Sequence, residues 1–262
     1  MSVLTSRDNP KVRRWSKLVQ DTRYRRSEKR ALIEGPHLLA AALQHGCKPV
    51  AIVATSAVGA EIRSLIERSG VAPVLVSESV FRSIVDAETP QGLAAEIAIP
   101  LAKARTGGGT VFLEGVQDPS NVGAIIRSAA AFGTGRVVLD AACADPWSPR
   151  SLRAGMGGHF VLSIEAKADL SAALNAFKGS LACTVPRGGM PLEEADLSAP
   201  LGWLFGGEGR GLSEETLRNV PLRVSIPMAD GSESLNVAAA AAICLYETFR
   251  RGSLTLFPRK GS

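Results

Sequence analysis

Short apolar segments alternate with amphipathic ones along most of the chain. In the first hundred residues this pattern predicts strands at 31–34, 50–55, 74–76 and 93–99, separated by helices at 36–44, 58–69 and 77–85. The later alternation is more regular and predicts strands at 111–114, 136–140, 160–164, 181–185, 201–205 and 222–226, with helices at 122–132, 170–177, 214–219 and 235–250. Such alternation is typical of an α/β fold whose parallel sheet is covered on both faces.

A break in this pattern divides the chain. Pro100 ends a predicted strand, and three consecutive glycines at 107–109 precede the next one. Proline and a run of glycines together indicate a flexible joint. We therefore predict a basic helix and a small α/β domain over 1–99, a Gly-rich linker over 100–110, and a second α/β domain over 111–262.

The positive charge is concentrated at one end of the chain. The 262 residues include 30 Lys and Arg against 25 Asp and Glu, which gives a net charge of +5. Residues 1–30 hold ten of the basic residues against three acidic ones, so they carry +7 and the remainder carries −2. Asn9 and Pro10 predict the start of a helix in this segment.

Clustered basic side chains on a helix are typical of nucleic-acid binding. The alternative is a solvated surface helix with ordinary charge. On the first interpretation, RNA phosphates would be contacted by Arg13, Arg14, Arg25 and Arg26.

Composition excludes several classes of protein. Hydrophobic residues make up 45% of the chain, which is too many for a disordered protein. No apolar run approaches the roughly 18 residues that a membrane span needs, and residues 1–10 lack the apolar core of a secretory signal. The four cysteines and three histidines show no metal-ligand spacing. These features predict a soluble cytoplasmic protein with no metal site.

Three loops that follow predicted strands carry unusual residues, and ligands of parallel sheets bind beyond the carboxyl ends of the strands. The first loop, DPSNVGAIIRS (118–128), places Arg127 nearly two turns into a small, apolar helix. Burying an arginine there without a partner would be costly. We therefore interpret Arg127 as a ligand for phosphate or carboxylate, the alternative being a surface arginine on a well-capped helix.

The second loop, FGGEGRGLS (205–213), has four glycines in six positions, which lets the backbone approach a ligand closely. Its spacing also resembles a dinucleotide loop, as in a nicotinamide dehydrogenase, but Glu208 would repel a pyrophosphate. The third loop, IPMADGSESLNV (226–237), leads into an alanine-rich helix that Ser234 and Asn236 could cap. Because this long polar loop lies between a strand and a closely packed helix, it could also line a ligand-binding site.

Taken in order, the three loops resemble the three motifs of the SpoU, or TrmH-type, RNA ribose methyltransferases. The matching stretches are DPSNVGAIIRSAAAFG (118–133), FGGEGRGLSEE (205–215) and IPMADGSESLNVAAAAAICLYE (226–247). EGPHLLAAAL (34–43) is similar to the start of the small substrate-binding domain often found ahead of this catalytic domain. One departure is Ala238, where a serine is common, and it should affect packing more than chemistry.

The resemblance implies a SPOUT-type parallel-sheet domain with a C-terminal trefoil knot and S-adenosylmethionine as the cofactor. It also implies a homodimer and methylation of a ribose 2′-hydroxyl in RNA, with rRNA favoured over tRNA. By position, the polar active-site residues of the family correspond to Asn121, Arg127, Glu208, Ser234 and Asn236. The cofactor-binding positions correspond to Gly206, Ile226 and Leu235, with Met228 beside them.

The implied reaction leaves two alternative tasks for Arg127. A sulfonium methyl is already activated, so positioning supplies much of the catalysis, but the ribose hydroxyl must lose its proton. Because a guanidinium stays protonated at neutral pH, Arg127 would grip the target phosphate and stabilise the developing alkoxide, or else lose its proton transiently to a neighbouring phosphate. Asn121, Ser234 and Asn236 would orient Arg127 and the ribose, while Glu208 would fix the glycine loop or a nearby donor.

Two other classes of protein compete with a methyltransferase. A non-catalytic RNA-binding or ribosome-assembly factor could have kept this fold, but it would not require the cofactor. The intact polar positions of the three motifs argue against it. A nicotinamide dehydrogenase would leave the first and third loops unexplained.

Overall fold

The computed structural model describes residues 3–102, 108–198, 200–229 and 234–252. The chain divides into two compact units, which we call unit 1 (Met1–Pro100 and Asp145–Phe160) and unit 2 (Leu101–Ala144 and Val161–Ser262). The predicted linker falls at the first of these divisions, and its residues 103–107 lie outside the described part.

The helices and strands of the first hundred residues belong to unit 1. They are α1 (Pro10–Gln20), α2 (Thr22–Glu28), β1 (Arg30–Glu34), α3 (Pro36–Gln44), β2 (Pro49–Ala54), α4 (Ala60–Ser69), β3 (Pro73–Leu75), α5 (Glu78–Ser83) and β4 (Leu93–Ala98). The strands form one sheet in the order β1-β4-β2-β3. Strand β4 runs antiparallel to β1 and β2, while β3 runs parallel to β2.

Local sequence explains the start of α1. The Asn9 side chain accepts a hydrogen bond from the backbone N–H of Lys11 at 3.0 Å, and Pro10 occupies the first turn. One face of the helix is buried and consists of Val12, Trp15 and Leu18. The predicted start of this helix is therefore confirmed. Asp21 caps the next helix and divides the basic segment into α1 and α2.

In the rest of the chain, strands alternate with helices, and these elements are divided between the two units. Its elements are β5 (Thr110–Glu114), α6 (Pro119–Ala131), β6 (Arg136–Leu139), α7 (Pro149–Gly155), β7 (Ser163–Ala166), α8 (Leu170–Ala176), β8 (Ser180–Thr184), β9 (Met190–Pro191), β10 (Leu201–Gly206), α9 (Glu214–Arg218), β11 (Leu222–Ser225) and α10 (Val237–Arg250). Helix α7 and a 3-10 turn at Gly158–Phe160 lie in unit 1, and the other elements lie in unit 2.

Unit 2 is built on one seven-stranded sheet in the order β7-β6-β5-β10-β8-β11-β9. Every neighbouring pair is parallel, which confirms the predicted α/β class and parallel sheet. The two-residue strand β9 was not predicted, because it is too short to show a hydrophobic period. Strand β7 begins at Ser163 rather than at residue 160, where the 3-10 turn ends.

Helices α6 and α10 pack together and hold the site of unit 2 in place. The ring of Phe132, at the end of α6, contacts the rings of Tyr246 and Phe249 on α10 at centroid distances of 5.6 and 6.0 Å. The buried Trp203 indole on β10 donates a hydrogen bond to the Thr248 hydroxyl of α10 at 3.0 Å. These contacts hold the C-terminal ends of the two helices against each other and tie α10 to β10. Across the described residues, no helix combines the length and apolar character that crossing a membrane requires.

Candidate active site

Three loops of unit 2 meet at the carboxyl ends of β8, β10 and β11, which are neighbours in the sheet. They line a cavity of about 580 Å³, within the usual range for small-molecule sites. We call it the loop cavity. The four residues predicted to hold the cofactor all line it: Gly206, Ile226, Met228 and Leu235. Ser234, Asn236 and Glu208 line the same cavity.

The glycines of the second loop are required by close backbone approach. A side chain at Gly206 would place its Cβ 2.2 Å from the carbonyl carbon of Gly211, and one at Gly207 would lie 2.0 Å from the Gly115 oxygen. Gly209 has φ +86°, in the left-handed region that favours glycine. The turn that carries Glu208 therefore has the shape predicted from its composition.

Three predicted polar residues form one hydrogen-bonded chain. The Asn236 carbonyl oxygen caps α10 by accepting from the backbone N–H groups of Ala238 and Ala239 at 2.9 and 3.3 Å. The amide nitrogen of Asn236 consequently faces Asn121 and donates to its carbonyl oxygen at 3.1 Å. Asn121 in turn donates to the Glu208 carboxylate. The first turns of α6 and α10 thus fix the acceptor that the glycine loop presents.

Arg127 makes no hydrogen bond to Asn236, Asn121 or Glu208. It lies six residues after Asn121 on α6, which corresponds to a rotation of about 240° around the helix axis. Its side chain is exposed, and it does not line the loop cavity. Within the described residues it has no hydrogen bond or ion pair. Among the described residues, Asn121 and Asn236 bind each other and Glu208 rather than Arg127, so the expected orientation of Arg127 and the ribose by Asn121, Ser234 and Asn236 stays a prediction.

Arg25, one of the four residues predicted to contact RNA, is buried within unit 1. It is 2% exposed, and its Nε lies 2.8 Å from a carboxylate oxygen of Asp145. Its Nη1 donates to the carbonyl oxygens of Leu18 and Val19, at the end of α1, at 2.8 and 2.9 Å. Because all these groups are satisfied internally, Arg25 is not available to bind phosphate, and its assignment as an RNA ligand is corrected here.

The other three arginines differ in how far they are engaged. Arg14 forms ion pairs with Glu96 and Glu28 at 2.8 and 2.6 Å, so its charge is largely neutralised. Arg13 is exposed and Arg26 half-buried, and neither forms an ion pair with a described residue. The predicted RNA surface of the basic segment therefore narrows to Arg13 and Arg26.

The thiols and histidines form no reactive group in the described residues. All four cysteines are free thiols, and burial raises the pKa of Cys143 to about 12 and that of Cys183 to about 11. Such thiols are poor nucleophiles at neutral pH. No group of three or more potential metal ligands occurs in the described part of the chain.

Two contributors to the loop cavity were not singled out from the sequence. Residues 184–186, after β8, line it beside the second and third motif loops, and so does the exposed side chain of Arg210. The neighbours of β8 in the sheet could not be read from strand order along the chain. Arg210 was visible as the one cation of the glycine-rich loop, but nothing in the spacing assigned it a task.

Known protein families match parts of both units. Residues 109–246, more than half of the chain, match the SpoU rRNA Methylase family. Residues 9–95 match the MRM3-like substrate binding domain. The motif loops and the sheet of unit 2 lie within the first match. The second match covers helices α1 and α2 and most of the first sheet, and it ends within β4.

Individual relatives match almost the whole chain. An uncharacterized tRNA/rRNA methyltransferase of Synechocystis sp. is 36% identical over 95% of this chain and 93% of its own. The 23S rRNA (guanosine(2553)-2′-O)-methyltransferase RlmP of Bacillus subtilis is 33% identical over 94% of this chain and 98% of its own. The crystal structure of an AdoMet-bound rRNA methyltransferase from Sinorhizobium meliloti superposes with a TM-score of 0.83 at 29% identity, covering 95% and 98% of the two chains.

The fold and the loop cavity define a methyltransferase of the SPOUT type. More particularly, the chain belongs to the SpoU rRNA methylase family, as the resemblance of its three loops had indicated.

Proposed function

We propose that this chain transfers the methyl group of S-adenosylmethionine to a ribose 2′-hydroxyl of rRNA in the cytoplasm. The observation that carries the proposal is the convergence of the second and third motif loops on one cavity, together with the Asn236–Asn121–Glu208 hydrogen bonds that tie the first motif loop to both of them. Ribosomal RNA is favoured over tRNA because the Bacillus subtilis relative is named for methylation of 23S rRNA.

The loop cavity fits the cofactor. It has an apolar wall that includes Ile226, Met228 and Leu235, and a polar edge that includes Ser234 and Asn236. Its volume of about 580 Å³ suits a ligand of nucleoside size. These residues, together with Gly206, would hold S-adenosylmethionine, which supplies an activated methyl group when bound.

Arg127 is the residue to which we assign stabilisation of the reacting ribose. Its guanidinium is exposed and has no partner among the described residues, so it is free to bind an RNA phosphate beside the target nucleotide. A fixed positive charge there would stabilise the alkoxide that develops as the 2′-hydroxyl loses its proton. Phosphate or solvent would accept that proton, because a guanidinium itself stays protonated.

The Asn236–Asn121–Glu208 chain would position the glycine loop during the reaction. Two backbone N–H groups of α10 hold the Asn236 side chain in place. Asn236 donates a hydrogen bond to Asn121, and Asn121 donates one to Glu208, so the position of Glu208 depends on the start of α10. Glu208 is exposed at the cavity, where its carboxylate would accept a hydrogen bond from the substrate or from a nearby donor. Ser234 would contact the ribose from the third loop.

We further propose the trefoil knot and the homodimer that the family resemblance implies. Ile226, Met228 and residues 234–236, which lie between β11 and α10 in the sequence, line the same cavity as the loops after β8 and β10, which supports a threaded arrangement. The side chains of Ile243 and Tyr246 on α10 are 39% and 51% exposed, and a second copy of the chain would cover this apolar face. Sedimentation of the full chain should therefore give a dimer, which Tyr246→Arg should weaken.

Transfer of labelled methyl groups tests the proposed function. The purified chain would be incubated with methyl-tritiated S-adenosylmethionine and, separately, rRNA and tRNA from a strain lacking the gene. We expect label in 23S rRNA and none in tRNA. Asn121→Ala should reduce the rate strongly, whereas Asn219→Ala, which removes an exposed amide just after the end of α9, serves as the matched control. RNA binding without any transfer would favour the non-catalytic assembly factor.

A further inference from the structure

Unit 1 contains a second cavity that none of the motif loops lines. It has a volume of about 320 Å³ and lies among the end of β1, the start of α3, the segment between α5 and β4, and helix α7. Much of its wall is apolar and includes Leu32, Leu38, Ile84 and Leu152. We call it the unit 1 cavity. Its size and apolar wall suit a flat ring rather than a hydrated ion.

One carboxylate of this cavity is incompletely satisfied. The Oε2 atom of Glu34 accepts hydrogen bonds from the backbone N–H groups of Asp86 and Ala87, each at 3.3 Å. The Oε1 atom is buried and has no hydrogen-bond partner in the described part of the chain. Burial accordingly raises the pKa of the Glu34 carboxyl above its ordinary value. Buried acceptors are usually paired, so Oε1 keeps the capacity to accept a hydrogen bond from a donor outside the chain.

Hydrogen-bond donors line the same cavity. Arg153 forms an ion pair with Asp86 at 2.7 Å through one nitrogen, and nearly half of its side chain is exposed. Gln91 is exposed and lies next to Gly35, where an added Cβ would come within 3.3 Å of the Gln91 amide oxygen. The cavity thus offers an acceptor, Glu34, together with a cation and an amide that can donate.

Two side chains at this cavity present surfaces on which a ring can lie. Met156 is 42% exposed and has φ +46°, a left-handed conformation that is strained for a residue with a side chain. Its carbonyl oxygen lies 3.3 Å from Nε2 of the exposed His37. A methionine sulfur and an imidazole both make favourable contacts with aromatic rings.

We propose that the unit 1 cavity binds one unpaired guanine base of the RNA. The Glu34 carboxylate would accept from the N–H groups of the Watson–Crick edge, and Arg153 and Gln91 would both donate to the guanine acceptors O6 and N7. Guanine is favoured because it presents two adjacent N–H donors beside an acceptor, whereas the other bases present one donor group at that edge. Sequence-specific recognition of RNA commonly uses such unstacked bases. This inference rests on the proposed function, because it requires an RNA substrate.

Binding of short RNAs to the full chain tests the assignment. The probes are fluorescein-labelled single-stranded octamers, one of uridine only and three with a single central G, A or C, followed by fluorescence anisotropy. We expect the G octamer to bind about tenfold more tightly than the other three, the usual gain from one well-matched base. Glu34→Gln should reduce that preference to less than twofold. Glu67→Gln makes the same charge change at an exposed position on α4, and it should retain the preference.

Gln91→Ala provides a second variant if Glu34→Gln fails to fold, and it should weaken the preference for guanine severalfold. Equal binding of the four octamers by the wild-type chain would overturn the proposal, as would a guanine preference that survives Glu34→Gln or Gln91→Ala. Preference for another base would overturn the assignment to guanine. Methyl transfer to rRNA is measured on the same preparations. Its absence would contradict the proposed function itself, whereas transfer without any guanine preference would contradict only this inference.

Discussion

The basic segment of unit 1 and the motif loops of unit 2 both carry arginines that the sequence suggested for RNA. In the basic segment, Arg25 is buried against Asp145, and Arg14 is paired with Glu96 and Glu28. In unit 2, Arg127 is exposed without a described partner. The difference shows that clustering of basic residues reports how much charge is present, whereas only the fold shows how much of that charge is already neutralised.

Replacing Arg25 should have the largest effect on stability. Arg25→Met would leave Asp145 buried without its partner, and we expect a loss of about 3–5 kcal/mol in the free energy of unfolding. Urea unfolding of the full chain measures this loss. Arg13→Met, on the exposed side of α1, should change stability by less than about 0.5 kcal/mol. A stable Arg25→Met chain with weakened RNA binding would return Arg25 to the RNA surface.

Replacing Arg127 should leave stability unchanged and reduce catalysis. We expect Arg127→Ala to lower kcat by about 10²–10³-fold, the usual effect of removing one group that stabilises developing charge. Arg127→Lys should recover little, because it keeps the charge but loses the planar fork. Affinity for S-adenosylmethionine, measured by calorimetry, should stay within about twofold. Arg218→Ala on α9, which removes an exposed and ion-paired arginine, is the control. Near-normal single-turnover methylation by Arg127→Lys would refute any role that requires the guanidinium geometry.

Unit 1 also contains a buried histidine, which makes its stability depend on pH. Burial lowers the pKa of His159 to about 4, although a hydrogen bond to the Pro146 carbonyl opposes the shift. Between pH 6.5 and 4 the unfolded chain binds a proton that the folded chain does not, so stability falls as the pH falls through this window. The loss should be on the order of 3 kcal/mol.

Urea unfolding at pH 7, 5 and 4 measures this dependence. His159→Gln should make the curve flatter, whereas His45→Gln, which changes an exposed histidine, should leave it as steep as in the wild type. Equal slopes for all three chains would show that His159 is not the group responsible.

Replacing the two arginines of the basic segment that form no ion pair with a described residue should have the smallest effect. Replacing Arg13 and Arg26 together by Ala should lower RNA affinity severalfold and reduce the slope of log affinity against log salt by roughly two, one for each lost phosphate contact. Filter binding across a range of salt concentrations measures the slope. The control is the double variant Arg63→Ala and Arg68→Ala on α4, where both side chains are exposed. An unchanged slope in the first variant would remove the basic segment from the RNA surface.

Local features were predictable because neighbouring residues determine them. The Asn9 cap, the buried face of α1 and the shape of the glycine turn all follow from residues close together in the chain. Helix α7 lies between residues 140 and 160, where the sequence predicted no helix or strand. It was missed because its seven residues are too few to show a helical hydrophobic period.

Long-range pairings were the part that the sequence could not reveal. Arg25 and Asp145 are 120 residues apart, and nothing near either residue indicates the other. The meeting of Asn121, Glu208 and Asn236 was partly predictable, because loops after parallel strands share one edge of the sheet. Their exact hydrogen bonds depend on the strand order, which places β10 next to both β5 and β8.

We propose that the motif loops direct methylation to a ribose hydroxyl. A 2′-O-methyl group blocks alkaline cleavage of the adjacent phosphodiester, so partial alkaline hydrolysis of 23S rRNA treated with the enzyme and S-adenosylmethionine tests the claim directly. We expect one new protected position with the wild-type chain and none with Arg127→Ala. A methyl group found on a base, with no protected phosphodiester, would contradict it.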